Sequence, residues 1–327
     1  MGDRNAFYRT AGYKAPRDVN VTLEKLGFKN IFMYVDSPIK IISLLVILFR
    51  LIRFGLCLRK DDVVIMQYPS YPLLFMAIPF FLHCNKRIVL IHDFHSLRLN
   101  GRISVLEKLN LRLFNRIIVH TENMKDYLSK IYPDKQYYVL GCFGYILDQS
   151  HLSDERRIIS DEICFAGNLD KSLFIGKLIE ENGIGCKYHL YGNFARANIV
   201  VGSDVRYEGV FHPDEVGSLK GSWGLVWDGE DLSSCTGFLG EYLKINAPHK
   251  FSLYIAAGLP VIVWSKSAMA KLVKDKNIGI VINSLYDLKS KIDAISLAEY
   301  REIQKKVSDI GIQIRGNSMF KSVITSL

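Results

Sequence analysis

Asn246-Ala247-Pro248-His249-Lys250-Phe251-Ser252-Leu253-Tyr254-Ile255-Ala256-Ala257-Gly258-Leu259-Pro260-Val261-Ile262-Val263 is the stretch that decides the fold. It reads as a polar loop, a short apolar helix closed by Gly258, and a buried strand entered through Leu259-Pro260. A helix that starts at Pro248 presents backbone N–H groups in its first turn. The ammonium of Lys250 stands beside them, so the segment can receive a phosphate group. The same residues also suit an ordinary helix-to-strand junction of a layered protein, and the weight therefore falls on what surrounds them.

Outward from this stretch, the later half of the chain repeats one pattern. Glu162 to Phe165 reads as a strand running into Gly167-Asn168, Tyr188 to Tyr191 as a strand running into Gly192-Asn193, and Gly224 to Trp227 as a strand ending at Asp228. In open parallel sheets ligands bind beyond the carboxyl ends of the strands, so these turns and the Pro248–Lys250 loop are expected to line one side of a crevice. His151 to Asp161 (HLSDERRIISD) reads as a linker, and a helix near Leu297 to Ser308 with a polar tail closes the chain.

The earlier half keeps the same rhythm. Asp62 to Met66 (DVVIM), Arg87 to Ile91 (RIVLI) and Arg116 to Val119 read as strands, with helices at Val105 to Phe114 and Met124 to Ile131. Two α/β domains follow, residues 1–150 and 151–327. Ile41 to Leu58 (IISLLVILFRLIRFGLCL) is a strongly apolar helix that Arg50 and Arg53 interrupt before it reaches the roughly 20 residues of a bilayer span. It reads as a buried core helix with its arginines at a polar edge. The other reading is a helix lying in a membrane interface, with Arg50, Arg53, Arg59 and Lys60 near lipid phosphates.

The 327 residues carry a formal net charge of +9, all of it in the first half: residues 1–150 hold 21 Lys+Arg against 12 Asp+Glu, and residues 151–327 hold 21 against 21. The N-terminal half is therefore expected to face something anionic, whether a membrane surface, a lipid phosphate or a nucleic acid. The six cysteines have no C-x-x-C spacing and mostly lie in apolar runs, as reduced thiols in a cytosolic protein do. Met1 to Asn20 is polar where a signal peptide needs an apolar centre.

Several chemistries are disfavoured. No G-x-G-x-x-G follows a strand, since Gly183-Ile184-Gly185 precedes one, and there is no P-loop. The eight histidines show neither H-E-x-x-H nor paired Cys/His spacing, so no zinc is expected. Asp228-Gly229-Glu230, with Asp231, imitates a D-x-D metal motif. A turn after a strand explains it better, with Trp227 as a wall against a sugar or base.

Taken together, these residues resemble the two-domain GT-B glycosyltransferases of the galactofuranosyltransferase and glucosyltransferase 3-like group, over nearly the whole chain. The resemblance rests on RNAFYRTAGYKAPRD from Arg4 to Asp18, on His92-Asp93, on Phe165-Ala166-Gly167-Asn168, on Gly224-Leu225-Val226-Trp227-Asp228, and on Pro248-His249-Lys250 with Ala256-Ala257-Gly258-Leu259-Pro260-Val261. It implies an α/β fold of two Rossmann-like domains facing each other across a cleft. The C-terminal domain would bind the nucleotide diphosphate of the sugar donor and the N-terminal domain would present the acceptor. Asn168 and Lys171 would lie near the donor's nucleotide or diphosphate, and Lys250 would bind the diphosphate.

Such an enzyme has no obligatory metal, so a lysine and helix N-terminal amides must stabilise the leaving diphosphate. The expected donor site is Gly167, Asn168, Lys171, Tyr191, Gly192, Phe211, His212, Trp227, Asp228, Pro248, His249 and Lys250. The acceptor is expected at Ala11, Gly12 and Lys14. Its hydroxyl must lose a proton, for which His92 and Asp93, just past a strand end, are the catalytic candidates; a turn or helix-cap role also fits Asp93. The implied reaction moves galactofuranose, galactose or glucose from a UDP-sugar to a saccharide acceptor, lipid-linked, in bacterial surface polysaccharide assembly. It would run at the cytosolic face of the membrane, with no metal or other cofactor; self-association is left open.

Two departures stand out. The group commonly has a short apolar strand before the loop at Asn5, and none precedes it here. Many retaining members carry two glutamates eight positions apart around this motif, and the corresponding residues here are Ile245 and Leu253, so no glutamate clamp is expected. A nucleic-acid binder is the main alternative, with Phe7, Tyr8 and Tyr13 among Arg4, Arg9, Lys14 and Arg17, though no nucleic-acid motif appears. A nucleotide-sugar epimerase on the same fold is the third.

Overall fold

Parallel sheets bury both faces, so their strands are short, nearly continuous apolar runs. The computed structural model, which describes residues 11–31, 39–69, 74–148, 157–194 and 204–327, places such runs in two sheets whose strands pair in parallel. The chain divides into two compact units, Asn20–Leu140 on one hand and Met1–Val19 with Gly141–Leu327 on the other. This differs from a cut at residue 150. The crossings fall inside the helix Ala11–Lys25 and just after Leu140.

The Asn20–Leu140 unit holds a four-stranded sheet in the order β1 (Val63–Tyr68), β2 (Lys86–Ile91), β3 (Arg116–Val119), β4 (Gln136–Val139). The first three match the sequence reading; β4 was not anticipated, because its residues are exposed or only half-buried and give no apolar run. Beyond β3, His120 is buried and its ring nitrogen Nε2 lies 2.6 Å from the carbonyl oxygen of Ile91, at the end of β2. On the other side of that corner the N–H of His92 donates to the carbonyl of Tyr68 at 2.8 Å. Burial pushes the His120 imidazole down to about 4, against a smaller upward effect of the Ile91 hydrogen bond.

The second unit holds a six-stranded sheet in the order β10 (Gly279–Ile282), β9 (Val261–Trp264), β8 (Trp223–Val226), β5 (Glu162–Ala166), β6 (Lys187–Tyr191), β7 (Val205–Gly209). Its core contains Trp223, Trp227, Tyr188, Tyr254, Phe165, Phe174 and Phe251, all fully buried. The polar tail expected after residue 308 is instead helical. Leu297–Arg315 is a single helix, opened by a Ser296–Glu299 capping box and burying Tyr300, Ile303, Val307, Gly311 and Ile314; Ser318–Thr325 follows it.

The segment expected to be an acceptor loop is helical from Ala11 onward. Pro16 deletes one helical hydrogen bond, and an internal ion pair helps offset it. The Lys14 ammonium is fully buried and bonds to Asp18 (2.9 Å), Asp214 (2.9 Å) and the carbonyl of Ile146, above the Tyr145 ring. Arg17 adds a two-pronged contact to Asp214, and Asp18 also accepts from the N–H of Ile146. Burial alone would raise the Asp214 carboxyl, but hydrogen bonds from Arg17 and Lys14 overcome it and hold the group well below the usual carboxylate range. Arg4 to Arg9 and most of the expected linker lie outside the described residues.

Two outcomes follow. Lys14→Met takes the buried Asp18 carboxylate's nearest cation and one of the two cations on Asp214, and should cost about 3–5 kcal/mol in urea unfolding, whereas Lys271→Met, in the exposed Lys271–Asp275 pair, should leave the midpoint unchanged. His120 is neutral when folded and near 6.5 when unfolded, so the unfolded chain binds the extra proton between those values. Stability should fall as pH drops from 6.5 toward 4, by on the order of 3 kcal/mol, and His120→Gln should flatten that slope in unfolding curves taken across the range.

Candidate active site

Strand order reverses between β5 and β8: the chain runs from β5 to β6 and β7 on one side, and through β8, β9 and β10 on the other. In this class of sheet the crevice at such a reversal is where ligands sit. β5 and β8 pair only through Ile163–Trp223 and Cys164–Gly224 before they part. The N–H of Ala166, which then faces no strand, donates to the Tyr254 hydroxyl at 2.7 Å. Gly224 makes room for that ring, since a Cβ there would lie 2.2 Å from it. Sequence reasoning missed Tyr254 as a site-forming residue; a hydroxyl-bearing side chain inside the mostly apolar run Phe251–Ala256 was the available signal.

Lys250 sits at the same opening. It stands in the first turn of the helix His249–Ala256, whose N-cap Pro248 supplies no side-chain oxygen to the first-turn amides. Its ammonium lies 4.5 Å from the centre of the Phe165 ring of β5 and donates to the Trp227 carbonyl and to Asp228 Oδ1, each at 3.0 Å, just past β8. Lys250 is thus a largely buried counter-ion of Asp228, its side chain 13% exposed. Among the described residues, these two bonds use two of the three ammonium hydrogens.

The other expected donor residues share the carboxyl end of this sheet but differ in what they do. The Gly167 N–H donates to the Tyr191 carbonyl, and Gly192, at φ +132°, lies so close that a Cβ would fall 1.7 Å from the Gly167 oxygen. Asn168 caps a short 3-10 turn by accepting from the N–H of Lys171; both side chains are exposed. Tyr191 is buried, its phenol pushed up to about 12, and its hydroxyl bridges Ser218 and Lys220 while its ring meets Phe211 edge-on. Half-exposed His212 accepts from the N–H of Asp214.

Two assignments change. Trp227 is no wall against a ligand: it is fully buried and its indole N–H is tied to the Asp231 carbonyl at 3.0 Å. His249 packs its ring on Tyr145, at 5.0 Å and 30°, and against Phe143, so its side chain belongs to an aromatic stack. Two carboxylates of the D-x-D look-alike are taken by lysines, Asp228 by Lys250 and Asp231 by Lys177 at 2.7 Å.

In the Asn20–Leu140 unit, His92 and Asp93 follow β2. His92 Nε2 lies 2.6 Å from Gln67 Oε1, and the Gln67 amide nitrogen donates to Asn20 Oδ1 at 2.6 Å. Asp93 pairs with Arg98 at 2.9 Å and is 27% exposed. Lys14, expected to meet the acceptor, spends its three donors on the internal cluster, while Ala11 and Gly12 open the helix Ala11–Lys25.

Comparison with known proteins gives this geometry its chemistry. Residues 4–142 match the N-terminal domain model of the glucosyltransferase 3-like family and residues 163–327 match its C-terminal domain model. The chain is 30% identical to the beta-1,6-galactofuranosyltransferase WbbI of Escherichia coli K12, covering 99% of this chain and 96% of WbbI. Among solved structures it superposes on WaaG, a glycosyltransferase involved in lipopolysaccharide biosynthesis, with a TM-score of 0.56 at 10% identity, covering 95% of each chain. Anabaena HepE, solved in complex with UDP-glucose, gives a TM-score of 0.56 at 11% identity, over 94% of this chain and 89% of HepE. A lysine at the strand-order reversal of one sheet and a His-Asp corner at the strand ends of the other therefore belong to a member of the glucosyltransferase 3-like family, a nucleotide-sugar-dependent hexosyltransferase with the GT-B fold.

Proposed function

We propose that this transferase moves galactofuranose, galactose or glucose from a UDP-sugar to a lipid-linked saccharide acceptor in assembly of a bacterial surface polysaccharide, at the cytosolic face of the membrane and without a metal. The full-length match to a galactofuranosyltransferase carries this reading. In the reaction the acceptor O–H bond breaks and its oxygen bonds to the anomeric carbon. The bond from that carbon to the diphosphate oxygen breaks in turn, and the electron pair leaves on UDP. The six-stranded unit meets the growing negative charge with the remaining N–H of Lys250 and the uncapped amides of its helix. Asp228 keeps that ammonium aimed and its charge balanced until the diphosphate arrives.

The membrane part of the proposal rests on the helix Lys40–Cys57. Leu51 and Gly55 are buried, so the core-helix reading holds for that face alone. Ile41, Leu45, Phe49 and Leu56 are 58–66% exposed and recur at helical spacing on another face, with Arg50, Arg53, Arg59 and Lys60 close in sequence. An exposed apolar stripe beside basic residues suits the surface of an anionic bilayer. Among the described residues, no helix is long and apolar enough to cross a membrane.

UDP at 100 times its Kd should stabilise the wild type by about 2.7 kcal/mol, read as a rise in melting temperature, and Lys250→Ala should remove most of it; a wild type indifferent to UDP would overturn the donor assignment. In sedimentation with phosphatidylglycerol vesicles, Arg50→Glu with Arg53→Glu should weaken binding well over tenfold, since each basic residue near the surface is worth about 1 kcal/mol. Undiminished sedimentation of the double variant would remove this helix from the membrane reading.

A further inference from the structure

The corner after β2 offers two titratable groups for one proton transfer, and their surroundings separate them. Gln67 pairs in register with Leu90, and Leu90 and His92 are two residues apart, so Gln67 and His92 fall on one face of the sheet. The Gln67 amide nitrogen is committed to Asn20, which turns its oxygen toward His92; that oxygen can only accept, so Nε2 of His92 carries the hydrogen. The imidazole is held as one tautomer, with the backbone on either side fixed by Tyr68 and His120. Asp93 is different. Arg98 holds Oδ2, whereas Oδ1 is screened from solvent and accepts no hydrogen bond among the described residues. A buried carboxylate oxygen without a donor calls for one, and the acceptor hydroxyl is a donor.

Building on the proposed transfer reaction, the geometry points to a division of labour: Asp93 takes the acceptor proton, while Gln67, backed by Asn20, makes His92 a positioning residue that fixes the corner from which Asp93 projects. The proton of the breaking O–H bond passes to Asp93 Oδ1 as the acceptor oxygen bonds to the anomeric carbon, and the pair released with UDP completes the balance. Among the described residues, the titratable and charged groups at this corner include Tyr68 at the end of β1 with Glu107 bonded to it, Asp93 and Arg98 on the His92 loop, and His120 at the end of β3.

The test combines ring-nitrogen NMR of His92 with the pH dependence of kcat for sugar transfer, in wild type, Gln67→Glu and Gln67→Met. A carboxylate facing Nε2 should raise the His92 titration midpoint in Gln67→Glu while the pH limbs of kcat stay in place. Gln67→Met should mix the two tautomers and lower kcat at least tenfold with little change in donor KM. If the kcat limb travels with the His92 midpoint, His92 is the base and the division of labour is overturned. If His92 keeps its tautomer in Gln67→Met, the positioning role of Gln67 is overturned. Asp93→Asn checks the underlying reading separately, since full transfer activity in that variant would remove the whole corner from the reaction while leaving the NMR result intact.

Discussion

The parting of β5 from β8 is the constraint on which the six-stranded unit depends. A parallel sheet satisfies its backbone through its neighbours, and where two strands diverge the exposed amides and carbonyls need other partners. Here the Tyr254 hydroxyl takes the Ala166 N–H and the Lys250 ammonium takes the Trp227 carbonyl. Both side chains come from one helix, four residues apart, so a single turn closes the split. The motif that looked like a phosphate loop is therefore first a structural plug, and its chemistry is built on that plug.

A second constraint sits at the start of the chain. Burying a lysine without partners is prohibitive, yet Lys14 is fully buried because Asp18, Asp214 and the Ile146 carbonyl meet all its donors. These contacts tie the first turns of the helix Ala11–Lys25 to residues far along the sequence. That is why residues up to Val19 group with the later sheet although a chain-order reading assigns them to the earlier one.

What could be read from the sequence follows from where the physics is local. Strands β1, β2, β3, β5, β6, β8 and β9 announce themselves as apolar runs ending in turn residues, and the Ser296–Glu299 box marks a helix start. β4 and β7 are edge strands with exposed or half-buried positions, and neither carries such a signal; β10, the apolar run Gly279–Ile282, was passed over. Side-chain direction is less legible still. Trp227 and His249 stand beside Asp228 and Lys250 in the chain, but one faces the core and the other an aromatic stack, because these choices are made by residues such as Asp231 and Tyr145. The Asn20–Gln67–His92 string was invisible for the same reason: three elements supply it and no spacing links them.

Each unit, taken by itself, holds the group proposed to act in the reaction in a charge-balanced pair: Lys250 with Asp228 in one, Asp93 with Arg98 in the other. An unpaired charge in either place would cost stability in every unliganded molecule. Pairing removes that cost, and it also limits what each group can do alone. In the proposed reaction Lys250 offers a hydrogen to the diphosphate and Asp93 an oxygen to the hydroxyl, and each is already oriented by its partner. Preorganisation of this kind places the favourable interaction where charge develops in the reaction.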